Sequence, residues 1–305
     1  MSKYADNKNF INAVETFLKV KIKKVQTPPQ GMDSEVFFIV DNKDKEYVIK
    51  ASDGAMTDVR AYQLLASNKI NIPVPQLLGN FDYEGKSIVI LERITYPLLE
   101  STPVDQMHKY IPSMINNQRI MHKVKSPRSG YISDFDEKRT WKEFITSKFT
   151  NEYDSLNWPE VVKREGIERD LVLSSVEKIL NKFNNLTLIN KDYSLIHTDF
   201  NQRNLFVNPK TNDIAGIIDW GEAMFGDPIY DFSRIRMYIW HFNLGKETVD
   251  NYYKIMSYTQ EERELDDLYW LSRVIEYLAY YSEELNDFNV GRMRLHQDFL
   301  RAYKW

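Results

Sequence analysis

The chain of 305 residues is 43% hydrophobic and 28% charged, the balance of an ordinary globular protein with room for one large domain or two lobes. Its formal net charge of −4 argues against a nucleic-acid partner, and its lack of cysteine excludes disulfides and thiolate metal sites. No apolar run approaches the roughly 20 residues of a membrane span, and the polar start carries no signal-peptide stretch, so a cytoplasmic protein is expected. None of this favours a monomer over a dimer.

Along the chain, Phe10, Ile11, Val14, Phe17 and Leu18 recur at helical spacing within residues 7–20. Two β-prone runs follow, Glu35–Asp41 and residues 46–51, separated by the polar turn of residues 42–45. A helical stretch places Val59, Tyr62, Leu65 and Ala66 on one face, and Ile72-Pro73-Val74-Pro75 breaks it. Residues 76–81 and 87–92 again read as strands. From about Val104 the pattern is helical, interrupted by a strand-rich island at residues 195–219. The expected fold class is therefore α+β. A small lobe with a mainly antiparallel sheet, residues 1–95, precedes a larger mainly helical lobe, residues 96–305.

The strongest chemical signal is His197-Thr198-Asp199-Phe200-Asn201-Gln202-Arg203-Asn204, followed by the apolar run of residues 214–218 ending at Asp219-Trp220. Phosphoryl transfer to an alcohol makes few covalent demands on a protein and strict positional ones. A carboxylate must orient the hydroxyl and accept its proton, and Asp199 suits that role. Asn204, five residues on, offers a side-chain oxygen to a metal, and Asp219 offers a charged oxygen to a hard cation such as Mg²⁺. The alternative, a capped turn beside a buried strand, requires no such combination of polar residues.

These residues, with the continuation GIIDWGEAMFGDPIYDF, resemble the catalytic core of the aminoglycoside phosphotransferase and choline kinase superfamily, whose fold is protein-kinase-like. The resemblance spans about residues 31–231. It implies that Asp199 is the catalytic base, that Asn204 and Asp219 hold the metal, and that His197 is a structural member of the loop. It further implies that Asp231 braces the catalytic loop, while Asp227 reads as the N-cap of the following helix. Lys50, on a strand with apolar neighbours, either snorkels to the surface or faces a phosphate. The downstream motif favours the phosphate of ATP, with GTP as an alternative. The family pairs this lysine with a glutamate of the next helix. No glutamate is present there, and Asp58 is the candidate partner, one methylene shorter. Ser34, in the loop of residues 30–35, is expected near the phosphates, and Glu92 through Ile94 are expected to form the hinge for the purine base.

Within the superfamily, residues 140–145 and 219–227 resemble the hygromycin B phosphotransferase branch. The implied acceptor is a cationic small molecule, an aminoglycoside or aminocyclitol. Residues 221–305 carry 10 Lys/Arg and 15 Asp/Glu, which fits either solvated helix faces or an acidic binding surface. Glu222, Glu276 and Glu283 are candidate carboxylates for the acceptor, and Tyr230 and Trp270 are candidate stacking residues. Two other readings compete: a metabolic kinase for a sugar, amino alcohol or amino acid, and a non-catalytic nucleotide-binding module.

Overall fold

A computed structural model describes residues 4, 6–28, 35–52, 55–133, 140–150, 157–186 and 192–305. In chain order, α1 (Lys8–Leu18) is followed by β1 (Ile22–Gln26), β2 (Glu35–Asp41), β3 (Glu46–Ser52), α2 (Ala55–Ser67), β4 (Leu77–Tyr83) and β5 (Lys86–Glu92). Next come α3 (Val104–Met107), α4 (Ile111–Met121), the short strands β6 (Lys125–Ser126) and β7 (Gly130–Tyr131), and the helices α5 (Trp141–Thr150), α6 (Trp158–Val161) and α7 (Arg169–Asn185). Four strands follow, β8 (Tyr193–Ile196), β9 (Leu205–Asn208), β10 (Asp213–Ile217) and β11 (Met224–Gly226). The chain closes with α8 (Pro228–His241), α9 (Lys246–Met256), α10 (Gln260–Tyr281) and α11 (Asp287–Ala302). No described helix is long and apolar enough to cross a membrane.

The chain divides into two compact units, Met1–Val124 with Asp199–Ala223, and Lys125–Thr198 with Met224–Trp305. The first holds an antiparallel five-stranded sheet in the order β1-β2-β3-β5-β4. Strand alternation decides what each face does. Tyr47, Ile49 and Ala51 of β3 join Phe37, Ile39, Ile88 and Ile90 in a core covered by Phe10 and Val14 of α1. Asn7 caps α1, its side chain accepting from the N–H groups of Asn9 and Phe10. Lys50, one step out of phase with Ile49, is thereby turned away from this core.

The β9–β10 hairpin belongs to the first unit, although it follows β5 by more than a hundred residues. Its edges are tied there by main-chain bonds, from Val207 N–H to the Pro97 carbonyl at 2.9 Å and from Ile217 N–H to the Pro73 carbonyl at 2.8 Å. Ile214 N–H also donates to Ser113 Oγ of α4 at 2.9 Å. The lobe boundary expected after residue 95 therefore falls inside this unit.

The second unit is built around α10, whose Leu268, Tyr269, Leu271, Val274, Ile275 and Leu278 are buried among α5, α7, α8 and α11. A capping box of Thr259 and Glu262 starts the helix. Two buried aromatic side chains of this unit, Trp141 and Tyr269, keep their polar ends paired. Trp141 Nε1 donates to Tyr269 Oη at 2.8 Å, and that hydroxyl donates to Asp227 Oδ2 at 3.1 Å. Asp227 is also the N-cap of α8, accepting from Ile229 N–H.

A histidine pair, His296 buried and His241 half-buried, links α8 to α11. His296 Nδ1–H donates to the Val274 carbonyl at 2.8 Å, so its Nε2 is the bare acceptor for His241 Nε2–H, also at 2.8 Å. Burial brings His296 down to about 4, with the Arg292 charge acting the same way. His241 is lowered further by burial, His296, Arg292 and Arg234. Groups whose folded pKa is depressed in this way stabilise the fold fully above the unfolded value of about 6.5, and lose that contribution as pH falls through the window below it. Asp266, whose carboxyl burial pushes up to about 7, titrates in the opposite sense over the same range. The histidine contribution is therefore read as a difference. The wild type is expected to lose on the order of 2 kcal/mol more stability than His296→Gln between pH 7 and pH 5. Thermal unfolding at both pH values measures this, and equal slopes would refute it.

Candidate active site

The first unit brings Lys50, Asp58 and Asp219 into one network. Lys50 Nζ lies 2.6 Å from Asp58 Oδ2 and 2.8 Å from Asp219 Oδ1. Asp58 sits in the first turn of α2, where the helix dipole favours a carboxylate, and its side chain is 2% exposed. Its second oxygen, Oδ1, accepts the main-chain N–H of Trp220 at 2.6 Å. One short carboxylate thus fixes both the lysine and the residue after Asp219. Burial alone would lower the Lys50 pKa, but the charges of Asp58 and Asp219 outweigh it and hold the ammonium raised. Tyr62 of α2, edge-on to the buried Trp220 ring, is pushed well up by burial and then by Asp58 and Asp219. The phenol stays neutral.

Asp219 is half exposed and adopts φ +65°, the left-handed region that aspartate tolerates better than most residues. Its Oδ2 makes no hydrogen bond among the described residues.

The loop of residues 199–204 supplies the other half of the candidate site. Asp199 Oδ2 accepts from Asn204 Nδ2 at 2.8 Å, and Oδ1 accepts from Asn201 Nδ2 at 2.8 Å. Asn204 also donates to the Asp199 carbonyl at 3.0 Å, and its own carbonyl accepts Ile218 N–H at 3.0 Å. That last bond sets Asn204 beside the residue preceding Asp219. Asn204 Oδ1 accepts no hydrogen bond among the described residues.

Within the second unit, Asp231 takes the N–H of Thr198 at 2.9 Å and of His197 at 3.3 Å, the bracing expected of it. Thr198 stands at φ +64°, an outlier for a β-branched residue. His197 is fully buried.

The donor set suits a hard divalent cation. Asp219 and Asn204 each present an oxygen without an intrachain hydrogen bond, and Mg²⁺ is typically held by one or two carboxylates together with substrate phosphates. No group of three His, Cys, Asp or Glu side chains converges among the described residues.

The remaining expected positions fare differently. Ser34 and its loop lie outside the described residues. Glu92 is exposed and its N–H is taken by the Gln76 carbonyl at 3.0 Å. Ile94 has no intrachain hydrogen bond among the described residues, so its main chain is available to a ligand. Its side chain lies over Gly216, where a Cβ would collide with Ile94 and crowd Phe206. Glu222 is exposed three residues past Asp219.

The second unit gives the other acceptor candidates different work. Tyr230 is 2% exposed, enclosed by Trp141 and Tyr269, with the Arg273 guanidinium 3.9 Å over its ring. Trp270 is likewise core, packed against Trp240 and Phe299. Neither has a free face for stacking. Glu276 pairs with Lys148 at 3.1 Å, and Lys148 also donates to Tyr230 Oη at 2.8 Å. Glu283 is exposed beyond the end of α10. The structure does not draw Tyr230, Trp270, Glu276 and Glu283 into one set. Lys148 and Asn201 were not singled out from the sequence. Lys148 gave no signal of its own, whereas Asn201 stands two residues from Asp199.

The sheet-and-helix architecture, with a part-buried lysine–aspartate pair and an amide-held carboxylate, is that of a kinase-like fold. The chain belongs to the phosphotransferase enzyme family, whose sequence profile matches residues 24–268. It is 25% identical over 238 residues to hygromycin-B 4-O-kinase of Escherichia coli. That match covers 73% of this chain and 65% of the relative's length. A thermostable mutant of aminoglycoside phosphotransferase APH(4)-Ia, in ternary complex with AMP-PNP and hygromycin B, superposes with a TM-score of 0.72 at 20% identity, covering 95% of this chain and 97% of that one. Macrolide 2'-phosphotransferase type I superposes with a TM-score of 0.63 at 14% identity over 100% of both chains. These superpositions establish the kinase-like fold.

Asp58 is open to a direct test. Asp58→Ala leaves Lys50 with one carboxylate and Trp220 N–H without its acceptor, and should cost roughly 3 kcal/mol of stability. Asp58→Asn keeps an acceptor for Trp220 and should be the milder change. Chemical denaturation measures both, and equal losses would show that the Trp220 bond contributes nothing.

Proposed function

We propose that this protein transfers the γ-phosphoryl group of ATP to a hydroxyl of a cationic small molecule, an aminoglycoside or aminocyclitol of the hygromycin type, and so confers resistance to it. GTP is the alternative donor. The observation that carries the reading is Lys50 Nζ bridging Asp58 and Asp219, in the same unit that holds the Asp199 carboxylate between two amides.

In this reading Lys50 binds phosphate oxygens, and Asp58 keeps its ammonium charged and aimed. Asn204 and Asp219 would hold Mg²⁺, which offsets the charge that develops on the phosphates. The Lys50–Asp219 contact is the one that a nucleotide and its cation would exchange for their own. The main chain at Ile94 offers hydrogen bonds to a purine. Asp199 orients the acceptor hydroxyl. As the new O–P bond forms and the β,γ-bridging O–P bond breaks, the hydroxyl proton passes to Asp199 and the nucleoside diphosphate leaves.

The cationic acceptor is supported by charge. Asp199, Asp219 and the exposed Glu222 lie within 24 residues of one another, and carboxylates bind ammonium groups through charge-assisted hydrogen bonds. The hygromycin B bound by the structural relative has this chemistry.

The test is release of nucleoside diphosphate with Mg²⁺ and ATP or GTP, across a panel of aminoglycosides that includes hygromycin B. Drug-dependent turnover is expected, and Asp199→Asn should lower kcat by on the order of 10²–10⁴ while sparing ATP affinity. Silence across the panel, with a response to a sugar, amino alcohol or amino acid, would move the assignment to a metabolic kinase. Loss of ATP binding in Asp199→Asn would overturn the division of roles.

A further inference from the structure

Both oxygens of the Asp199 carboxylate are occupied by amide donors from its own loop. Asn204 Nδ2 reaches Oδ2 and Asn201 Nδ2 reaches Oδ1, each at 2.8 Å. Asn201 is itself fixed, because its Oδ1 accepts the main-chain N–H of Arg203 at 2.8 Å. This Asx turn leaves the amide NH₂ directed at Asp199. The turn is tied to the 3₁₀ segment Leu99–Ser101. Glu100 N–H donates to the Gln202 carbonyl at 3.0 Å, and Arg203 Nε donates to Glu100 Oε1 at 2.9 Å.

The final torsion of an aspartate side chain is broad and soft. An amide donor on each oxygen defines it, much as two hands on a wheel fix its angle. An ionised carboxylate offers about four acceptor positions, so an amide on each oxygen is compatible with the approach of an acceptor hydroxyl. Proximity effects make this orientation consequential, since a displacement of about 1 Å can cost about 10²-fold in rate.

We propose that Asn201 is a positioning residue for Asp199, setting the rotation of its carboxylate toward the acceptor hydroxyl. The inference rests on the assignment of Asp199 as the group that receives that hydroxyl. A purely structural Asn201 would do no more than close the turn onto Arg203.

Asn201→Asp separates the two roles. It keeps the shape and the acceptor for Arg203 N–H, and it replaces the donor to Asp199 with a repelling oxygen. With ATP, Mg²⁺ and hygromycin B, and also with water as acceptor, kcat is expected to fall about 10–100-fold. KM for ATP and for the drug should stay within about twofold, and thermal unfolding should be near wild type. The double variant D199N/N201D should be no slower than D199N, because the two residues act as one unit. A wild-type kcat in N201D, or a loss confined to KM, would overturn the proposal. Crystal structures of wild type and N201D give a readout independent of turnover, and an unchanged Asp199 torsion would equally overturn it. Full turnover in D199N would instead bring down the assignment of Asp199 itself, while the torsion would still decide the role of Asn201.

Discussion

An ammonium group removed from water is costly unless opposite charge and hydrogen bonds replace its hydration, and Lys50 has its side chain only 13% exposed. Two carboxylates meet that requirement, and each comes from a different part of the first unit. β3 turns Lys50 away from the α1 core, the first turn of α2 presents Asp58, and the chain beyond β10 presents Asp219. Removing any one of the three leaves the others in conflict, either as a poorly compensated cation or as two facing anions. This mutual dependence explains why α2 must lie on the lysine face of the sheet and why the β9–β10 hairpin must pack with the first unit. A shorter carboxylate than glutamate serves at position 58 because it also takes the Trp220 N–H, which draws the Asp219 turn towards α2.

Much of the first unit was legible because its strands keep a period of two. The run Glu35–Asp41 is β2 to the residue, and the expected strand at 46–51 extends by one residue to Ser52. β1 was not legible, and the reason is physical. A register shift between Ile22 and Lys24 breaks the alternation, so Ile22 and Val25 both reach the α1 core while three lysines in six residues, Lys21, Lys23 and Lys24, read as a charged linker. β11, three residues long, and the two-residue strands β6 and β7 are too short for any periodicity to register.

The candidate site divides in the same way. Asp199, Asn204 and Asp219 lie within 21 residues of one another, and the chemistry proposed for them is read from that local spacing. The acceptor side is not local. Whether Tyr230 or Glu276 faces a ligand depends on Lys148, which is 82 residues from one and 128 from the other. Nothing near either residue in sequence announces that partner. Burial of Trp270 depends likewise on Phe299 of another helix.

The two carboxylates central to the proposed chemistry share a method of construction. Thr198, just before Asp199, and Asp219 itself both adopt positive φ, a conformation costing roughly 1–2 kcal/mol for a residue with a Cβ. In each case a nearly inaccessible aspartate offsets the strain by accepting main-chain N–H groups at the turn. Asp231 takes those of His197 and Thr198, and Asp58 takes that of Trp220. Apolar packing could bury these turns but not orient them, because it has no preferred direction. A buried carboxylate does orient them, since its oxygens must be satisfied and only a narrow range of main-chain positions will do so. The strained turns and the buried aspartates therefore require each other, and together they fix the main chain at Thr198 and at Asp219.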